Sequence, residues 1–153
     1  MDNYICKIAS LTEMHEKWDY EIATHTGEDN WAIWKENAIV HAKTGQSVAY
    51  YGILNGRVIC EASAALDVNI VQNGKGLVDE KTVYLSAFRT VEEYRGQGYF
   101  SMLFRFMLDD LKAKGYERVT LGVEPCEIEN MMIYFRYGFQ EYVKMGQEVY
   151  PDG

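Results

Sequence analysis

Residues 95–100 read Arg-Gly-Gln-Gly-Tyr-Phe, and this glycine-rich stretch is the most informative part of the chain. The apolar residues 83–88, Val-Tyr-Leu-Ser-Ala-Phe, precede it and predict a buried strand, while residues 99–114 repeat apolar side chains at helical spacing. A glycine turn between a strand and a helix brings backbone N–H groups together with the positive end of the helix dipole. Because that arrangement binds anions such as a pyrophosphate, the stretch predicts a nucleotide-type cofactor.

The composition indicates a single packed domain over residues 1–153. The chain has 48% hydrophobic residues and only two prolines, which is typical of a globular protein and not of a disordered one. Fifteen basic residues against 23 acidic residues give a net charge of −8. This charge opposes nucleic-acid binding, and it favours either a cationic partner through long-range attraction or simply high solubility.

The expected cellular location follows from the absence of membrane-span, signal-peptide and disulfide patterns in the sequence. It has no apolar run of the roughly 18 residues that a membrane span needs, and residues 1–7 do not resemble a signal peptide. Cys6, Cys60 and Cys126 are widely spaced, and the three histidines show no metal-ligand spacing. We therefore expect free thiols, no metal, no membrane partner and a cytoplasmic location.

Periodicity and turn residues predict elements in the order β-α-α-β-β-β-α-β-α-β. Asn55-Gly56 lies between two apolar runs and indicates a hairpin with a type I′ turn, and Asn30 is a candidate cap for the second helix. The first helix is expected to turn one face toward the core, made of Leu11, Met14, Trp18 and Ile22. The predicted strands lie near residues 4–9, 47–54, 57–66, 81–90, 118–123 and 139–150, and the predicted helices near 11–24, 31–43, 99–114 and 128–137.

This order of elements, together with two motifs, resembles the GCN5-related N-acetyltransferases (GNAT). The family's phosphate-binding motif is Gln/Arg-x-x-Gly-x-Gly/Ala, which residues 95–100 match except that Phe100 replaces the final small residue. A second landmark of the family, a tyrosine four residues before Gly-Phe, matches Tyr134 before Gly138-Phe139. The agreement extends over residues 81–143, with Glu127 where many members have asparagine.

The resemblance implies an α/β (α+β) fold and a cofactor. The expected fold is a mixed, mostly antiparallel sheet with helices on both faces, whose fourth and fifth strands splay apart to hold acetyl-CoA. The resemblance assigns the pyrophosphate to backbone amides of residues 95–100, and the pantetheine arm and thioester to the strand before them. The cofactor-binding residues that it implies are Phe88, Arg89, Thr90, Arg95, Gly96, Gln97, Gly98, Tyr99, Phe100 and Asn130.

The resemblance also bears on assembly. Residues 150–153 resemble the start of a hairpin turn, and the family usually has one more strand after such a turn. If that strand is missing here, the sheet has an edge that a second copy of the chain can cover, which allows a homodimer.

Two other interpretations of the glycine turn are weaker. A lone Gly-x-Gly favours an ordinary turn that begins a core helix, and the match at Tyr134 and Gly138-Phe139 reverses that preference. A Rossmann dinucleotide site fits poorly, because no third glycine follows at the required spacing and a hairpin comes before the turn.

Three residues are candidates for the chemistry of the transfer. Tyr134 matches the family's landmark, and its phenol suits protonation of a departing thiolate, although it also suits ordinary packing on the last helix. Glu61 and Glu124 are the strand carboxylates that we expect to face the cleft, where a general base must take a proton from the amine. A water chain to bulk solvent is the alternative to both.

The acceptor pocket is expected beside the turn between the first two helices. Aromatic and acidic side chains there suit an ammonium group through cation–π contacts and charge pairing, so a cationic small molecule is a candidate acceptor. The candidate pocket residues are His25, Glu28, Asp29, Trp31, Trp34, Tyr50, Tyr51 and Tyr84.

The leading hypothesis is transfer of an acetyl group from acetyl-CoA to a primary amine, by direct attack in a ternary complex. We find no Ser/His or Cys/His pair that indicates an acyl-enzyme, although Cys126 beside the proposed cleft is a candidate nucleophile. The alternatives are a non-catalytic acyl-CoA-binding or sensor module on the same scaffold, and a purely structural subunit.

Overall fold

Five strands and three helices follow one another in the computed structural model, which describes residues 3–28, 30–71 and 75–121. Each of these elements begins and ends within one residue of its predicted bounds, except that the predicted end of β5 lies outside the described residues. The predicted helix near 128–137 and the predicted strand near 139–150 lie outside the described residues. The elements are β1 (Tyr4–Ile8), α1 (Leu11–Thr24), α2 (Asn30–Lys43), β2 (Ser47–Leu54), β3 (Arg57–Ala65), β4 (Thr82–Thr90), α3 (Tyr99–Ala113) and β5 (Arg118–Leu121).

The strands form one sheet in the order β1-β2-β3-β4-β5. The pairs β1–β2, β2–β3 and β3–β4 are antiparallel, and β5 runs parallel to β4. The parallel pair is joined through α3, as expected for a strand–helix–strand crossover. The prediction of a mixed, mostly antiparallel sheet is therefore confirmed.

The hairpin between β2 and β3 has the predicted turn. Asn55 and Gly56 have φ angles of 50° and 86°, the left-handed values that a type I′ turn requires at both central positions. Leu54 pairs with Arg57 directly across the turn. The turn thereby sets the register of β2 against β3.

Helix α3 covers one face of the sheet. Its inward stripe, Leu103, Phe104, Met107 and Leu111, is no more than 1% exposed. These side chains pack against Tyr50, Ile59, Ala62, Val83 and Leu85 of the strands. Burial of each large apolar side chain stabilises the fold by roughly 1.5–3 kcal/mol, so this face is the main core.

Helices α1 and α2 cover the opposite face, where the prediction for α1 is partly wrong. Met14 is buried as expected, but Leu11 is 40% exposed. Lys17 and Glu21 are buried instead, at 9% and 7% exposure. Charged side chains are rarely buried without partners, so this side of α1 must meet opposite charges on the sheet.

The N-terminal caps of α1 and α2 are the next feature to compare with the sequence. Ser10 and Glu13 form a capping box at α1, with the Glu13 N–H donating to Ser10 Oγ over 3.1 Å and the Ser10 N–H donating to Glu13 Oε1 over 2.9 Å. Asn30 is the first residue of α2 itself. Its predicted place as the cap before the helix is therefore wrong, because the helix starts one residue earlier than the apolar pattern indicates.

Candidate functional site

The glycine turn before α3 has the backbone shape that the motif predicts. Gly96 and Gly98 have φ angles of 74° and 89°, in the left-handed region that residues with a Cβ rarely adopt. A Cβ at either position would meet no atom of the described residues within 4 Å. The glycines are therefore required by conformation, and within the described part of the chain the space beside them is open to a ligand.

The turn has a run of backbone N–H groups without acceptors in the described chain. The first hydrogen bond of α3 runs from the Met102 N–H to the Gly98 carbonyl over 3.2 Å. Among the described residues, no acceptor is paired with the N–H groups of residues 96–101. Together with the positive end of the α3 dipole, these donors form a site for an anion at the start of the helix.

Two polar side chains of the motif support the turn from within. Arg95 donates from Nε to the Thr90 carbonyl over 3.0 Å. Gln97 donates from Nε2 to the Glu93 carbonyl over 3.0 Å. Both bonds connect the turn to the segment that leaves β4, so the two side chains hold its shape.

Phe100, the residue that departs from the motif, lies away from the open side of the turn. Its ring packs edge-on against Phe88 at 5.7 Å and beside Phe104 at 5.8 Å, measured between ring centroids. It belongs to the margin of the α3 core. The bulky side chain therefore does not crowd the open side of the turn, because it is directed into the sheet.

Strand β4 contains a bulge that the sequence does not predict. Glu61 pairs with Arg89 and Ser63 pairs with Ser86, so β4 uses one residue more than β3 across the same step. Within that step Ala87 has a φ angle of 57°, which is unusual for a residue other than glycine in a strand. Such bulges re-aim the following backbone and often lie beside active sites.

The end of β4 borders the glycine turn. Within the described chain, β5 pairs only with Thr82–Leu85, the first part of β4. Residues 86–90 therefore have no described strand on that side. Residues beyond Leu121, where a splay between the two strands would develop, lie outside the described part.

Glu61 lies on the α1 side of the sheet in an ion pair. Its Oε2 is 2.6 Å from Nζ of Lys17, and the two side chains are only 15% and 6% exposed. The Lys17 ammonium also lies 3.7 Å from the centroid of the Trp18 ring. The structure thus gives this candidate base a close cationic partner.

A second ion pair joins α1 to the end of β4. Arg89 donates from Nη1 to Oε1 of Glu21 over 2.7 Å, and its guanidinium lies 5.5 Å from the centroid of the Trp31 ring. His25 stacks on Trp31 at 4.1 Å, with Nδ1 3.6 Å from Oε2 of Glu21. The Arg89 side chain thus faces the α1–α2 turn.

The two ion pairs enclose a small polar cavity. It has a volume of about 10 Å³ between α1, β3 and β4, which is close to the least that holds one water molecule. Two positive and two negative side chains line it, so its charges balance. The lining residues are Lys17, Glu21, Val58, Ile59, Cys60, Glu61, Arg89 and Val91.

The expected acceptor residues only partly come together. His25, Trp31 and Trp34 form one aromatic group at the α1–α2 turn, with Trp34 5.2 Å from Trp31. Tyr50 was expected with them, and that prediction is wrong, because its side chain is fully buried under α3 and donates to Asp110 over 2.7 Å. Tyr84 packs away from this group, with Ala65 and Val78.

The remaining candidate residues for the acceptor pocket and for catalysis lie partly within and partly outside the described chain. Glu28 is exposed in the α1–α2 turn, and Tyr51 is buried on the α1–α2 face. Burial raises the pKa of the Tyr51 hydroxyl, and the nearby carboxylates of Glu61, Glu13 and Glu21 raise it further. The predicted residues that lie outside the described part of the chain are Asp29, Glu124, Cys126, Glu127, Asn130 and Tyr134.

In residues 3–28, 30–71 and 75–121, no group of three or more His, Cys, Asp or Glu side chains is placed to hold a metal ion. No helix in those ranges is long and apolar enough to cross a membrane.

Sequence comparison finds relatives along most of the chain. The family model described as the acetyltransferase (GNAT) family matches residues 8–139. N-alpha-acetyltransferase 30 of Schizosaccharomyces pombe is 27% identical over 143 residues, which are 92% of this chain and 79% of that protein.

Structure comparison finds the same fold in solved acetyltransferases. An aminoglycoside N-acetyltransferase in complex with coenzyme A superposes with a TM-score of 0.73, at 14% identity, over 99% of this chain and 97% of that one. Glucosamine-6-phosphate N-acetyltransferase from Arabidopsis thaliana superposes with a TM-score of 0.68, at 16% identity, over 98% and 99% of the two chains. At such identities the superpositions show a shared fold.

Proposed function

Because the chain belongs to the acetyltransferase (GNAT) family, we propose that it transfers an acetyl group from acetyl-CoA to a primary amine, by direct attack in a ternary complex. The observation that carries the proposal is the turn at residues 95–100, with its left-handed glycines and its N–H groups free of described acceptors. These donors suit the pyrophosphate of coenzyme A, as the helix end suits an anion. The proposal is also supported by structural neighbours that were solved with coenzyme A or with a bisubstrate analogue.

Each segment of the site then has a role. Acetyl-CoA, when bound, supplies the activated thioester carbonyl that the amine attacks. The amides of residues 96–101 hold its pyrophosphate, and the Ala87 bulge aims the main chain of residues 88–90 at the pantetheine arm and the thioester. A main-chain N–H directed at the carbonyl oxygen would polarise it, an effect typically worth about 3 kcal/mol.

Two proton transfers remain to be assigned. Tyr134 is proposed to donate its phenolic proton to the departing sulfur, because it matches the family landmark. Glu61 is proposed to take the proton of the amine through one water in the cavity that it lines. Lys17 pairs with Oε2 of Glu61, so the proposed proton acceptor is the other carboxylate oxygen, Oε1. Glu124 is the other carboxylate proposed for that step.

The acceptor is proposed to carry its amine as a cation beside the α1–α2 turn. The exposed carboxylate of Glu28 and the rings of Trp31 and Trp34 suit an ammonium that sheds its proton on binding. The similarity to an N-alpha-acetyltransferase over most of the chain favours a peptide α-amine, while the aminoglycoside enzyme supports a polycation. A cytoplasmic location and a homodimer belong to the same proposal.

An amine panel tests this function. The purified protein is incubated with acetyl-CoA and with peptides bearing a free N-terminus, polyamines or an aminoglycoside, and the release of free thiol is followed. Each peptide has its N-acetylated form as the matched control. We expect thiol release with at least one free amine and none with the blocked peptides.

The sensor alternative makes the opposite prediction. Its support in the sequence is the bulky Phe100 and the replacement of the family's asparagine by Glu127. Phe100 packs against Phe88 and Phe104, and Glu127 lies outside the described residues. Tight binding of acetyl-CoA without turnover on any amine would favour the sensor over the transferase.

A further inference from the structure

A hydrogen bond ties the edge of the sheet to the start of α3. The hydroxyl of Tyr4 in β1 donates to the main-chain carbonyl of Tyr99 over 2.8 Å, across 95 positions of sequence. Tyr99 is the first residue of α3, and the two rings lie 4.7 Å apart. Strand β1 is therefore connected directly to the helix end that carries the open N–H groups.

A gap in the neighbouring strand makes this bond possible. Gly52 lies in β2 opposite Cys6 of β1 and Cys60 of β3. A Cβ at Gly52 would overlap with the hydroxyl of Tyr4, so any larger residue would displace the tyrosine. The glycine is required here by space, because its own backbone is not left-handed.

The Tyr4 hydroxyl is also linked to the end of β4 through the thiol of Cys60. Cys60 is 1% exposed beside it, and Sγ of Cys60 lies 3.6 Å from Oγ1 of Thr90. Burial raises the pKa of the Tyr4 hydroxyl, and the Cys60 and Cys6 thiols add to that effect. The hydroxyl therefore stays protonated near neutral pH and remains a donor to the Tyr99 carbonyl.

We infer that Tyr4 is a positioning residue for the cofactor, which holds the first turn of α3 at a fixed place relative to Thr90 at the end of β4. The inference rests on the proposed function, because it takes those two segments to hold the two ends of one acetyl-CoA molecule. Tyr4 acts through the Tyr99 carbonyl. Donors that are fixed before the ligand arrives bind it more tightly, since less freedom is lost on binding.

The variant Tyr4→Phe tests the inference, because it removes the hydroxyl and keeps the ring. We compare titration calorimetry with coenzyme A and NMR titration with pantetheine, which has the same thiol arm without the pyrophosphate. We expect the Kd for coenzyme A to rise about five- to tenfold, the factor that one hydrogen bond is worth, with the Kd for pantetheine unchanged. Tyr94→Phe is the matched control, since that ring lies 6.1 Å from the Tyr99 ring and its change should leave both constants unaltered.

A second variant and a second readout support the test. Gly52→Ala displaces the Tyr4 hydroxyl without removing it, so it should weaken coenzyme A binding in the same selective way. Without ligand, amide hydrogen exchange at Met102 and Leu103 should be faster in Tyr4→Phe, while exchange in the last turn of α3 should stay the same.

The outcomes separate the inference from the proposed function. Equal coenzyme A affinity in the wild type and Tyr4→Phe would overturn the inference and leave the function standing. An equal loss for coenzyme A and pantetheine would also overturn it, because the effect would then be general. A wild-type protein that does not bind coenzyme A would overturn both.

Discussion

Single residues set the shape of the cofactor turn through their backbone angles. Gly96 and Gly98 are both left-handed, and the sequence predicted them because such a turn needs glycine there. Ala87 is also left-handed, but alanine is not a turn signal, and the bulge arises from the pairing of β4 with β3. Residue-level prediction therefore succeeded where the residue type itself carries the information, and failed where the partner strand decides.

The two ends of α3 offer a matched pair of glycine variants. Gly98 and Gly115 have φ angles of 89° and 98°, and a Cβ at either would meet no atom within 4 Å among the residues that the structure describes. We expect Gly98→Ala and Gly115→Ala each to lower the free energy of unfolding by about 1–2 kcal/mol, because both are strained in the same way. Only Gly98→Ala should weaken binding of acetyl-CoA. Urea unfolding measures the stability of both variants, and titration calorimetry measures their affinity for acetyl-CoA.

The opposite pattern would contradict the assigned turn. If Gly115→Ala reduced acetyl-CoA affinity as much as Gly98→Ala, the effect would come from the stability of α3 as a whole. The turn at residues 95–100 would then have no special role in binding.

Among the elements, α1 shows most clearly what sequence patterns miss. Its apolar residues predicted one buried face, and α3 was predicted correctly in the same way, since its buried stripe is entirely apolar. In α1 the buried face includes Lys17 and Glu21, because Glu61 on β3 and Arg89 on β4 provide opposite charges. Partners that are 44 and 68 residues away in sequence leave no local pattern to detect.

A double-mutant cycle tests the coupling of α1 to β3. Lys17→Met leaves the Glu61 carboxylate without its cation, and Glu61→Gln leaves the Lys17 ammonium without its anion. We expect each single change to destabilise the protein by about 3 kcal/mol, and the double variant to lose less than the sum. Urea unfolding of the four proteins measures the cycle, and strictly additive losses would show that the pair contributes no coupling.

The whole molecule carries a net charge of −8, and its acid stability depends on carboxylates that the fold keeps ionised. Burial works against the ionised form of Asp110, but Lys114 and the Tyr50 hydroxyl outweigh it and hold the pKa of Asp110 below its ordinary value. Hydrogen bonds from Gln46 and from the Lys81 N–H similarly lower the pKa of Asp67 and Asp79. A carboxylate with a lowered folded-state pKa stabilises the fold above its unfolded-state pKa.

The pH dependence of stability follows from these shifts. The stabilisation should be complete above about pH 5 and should be lost as the pH falls through about 4 and below, toward the lowered folded-state values. We expect urea unfolding at a series of pH values to show a falling free energy over this range. In Asp110→Asn the free energy of unfolding should decrease less as the pH is lowered. The same decrease as in the wild type would contradict the ion pair between Asp110 and Lys114.

Titration calorimetry of the purified protein with acetyl-CoA tests the central claim most directly, with NAD and ATP as control ligands. We expect micromolar binding of acetyl-CoA alone, and a stabilisation of the folded protein that reaches about 2.7 kcal/mol at one hundred times the Kd. Absence of both heat and stabilisation with acetyl-CoA, or equal binding of all three nucleotides, would contradict a coenzyme A site at residues 95–100.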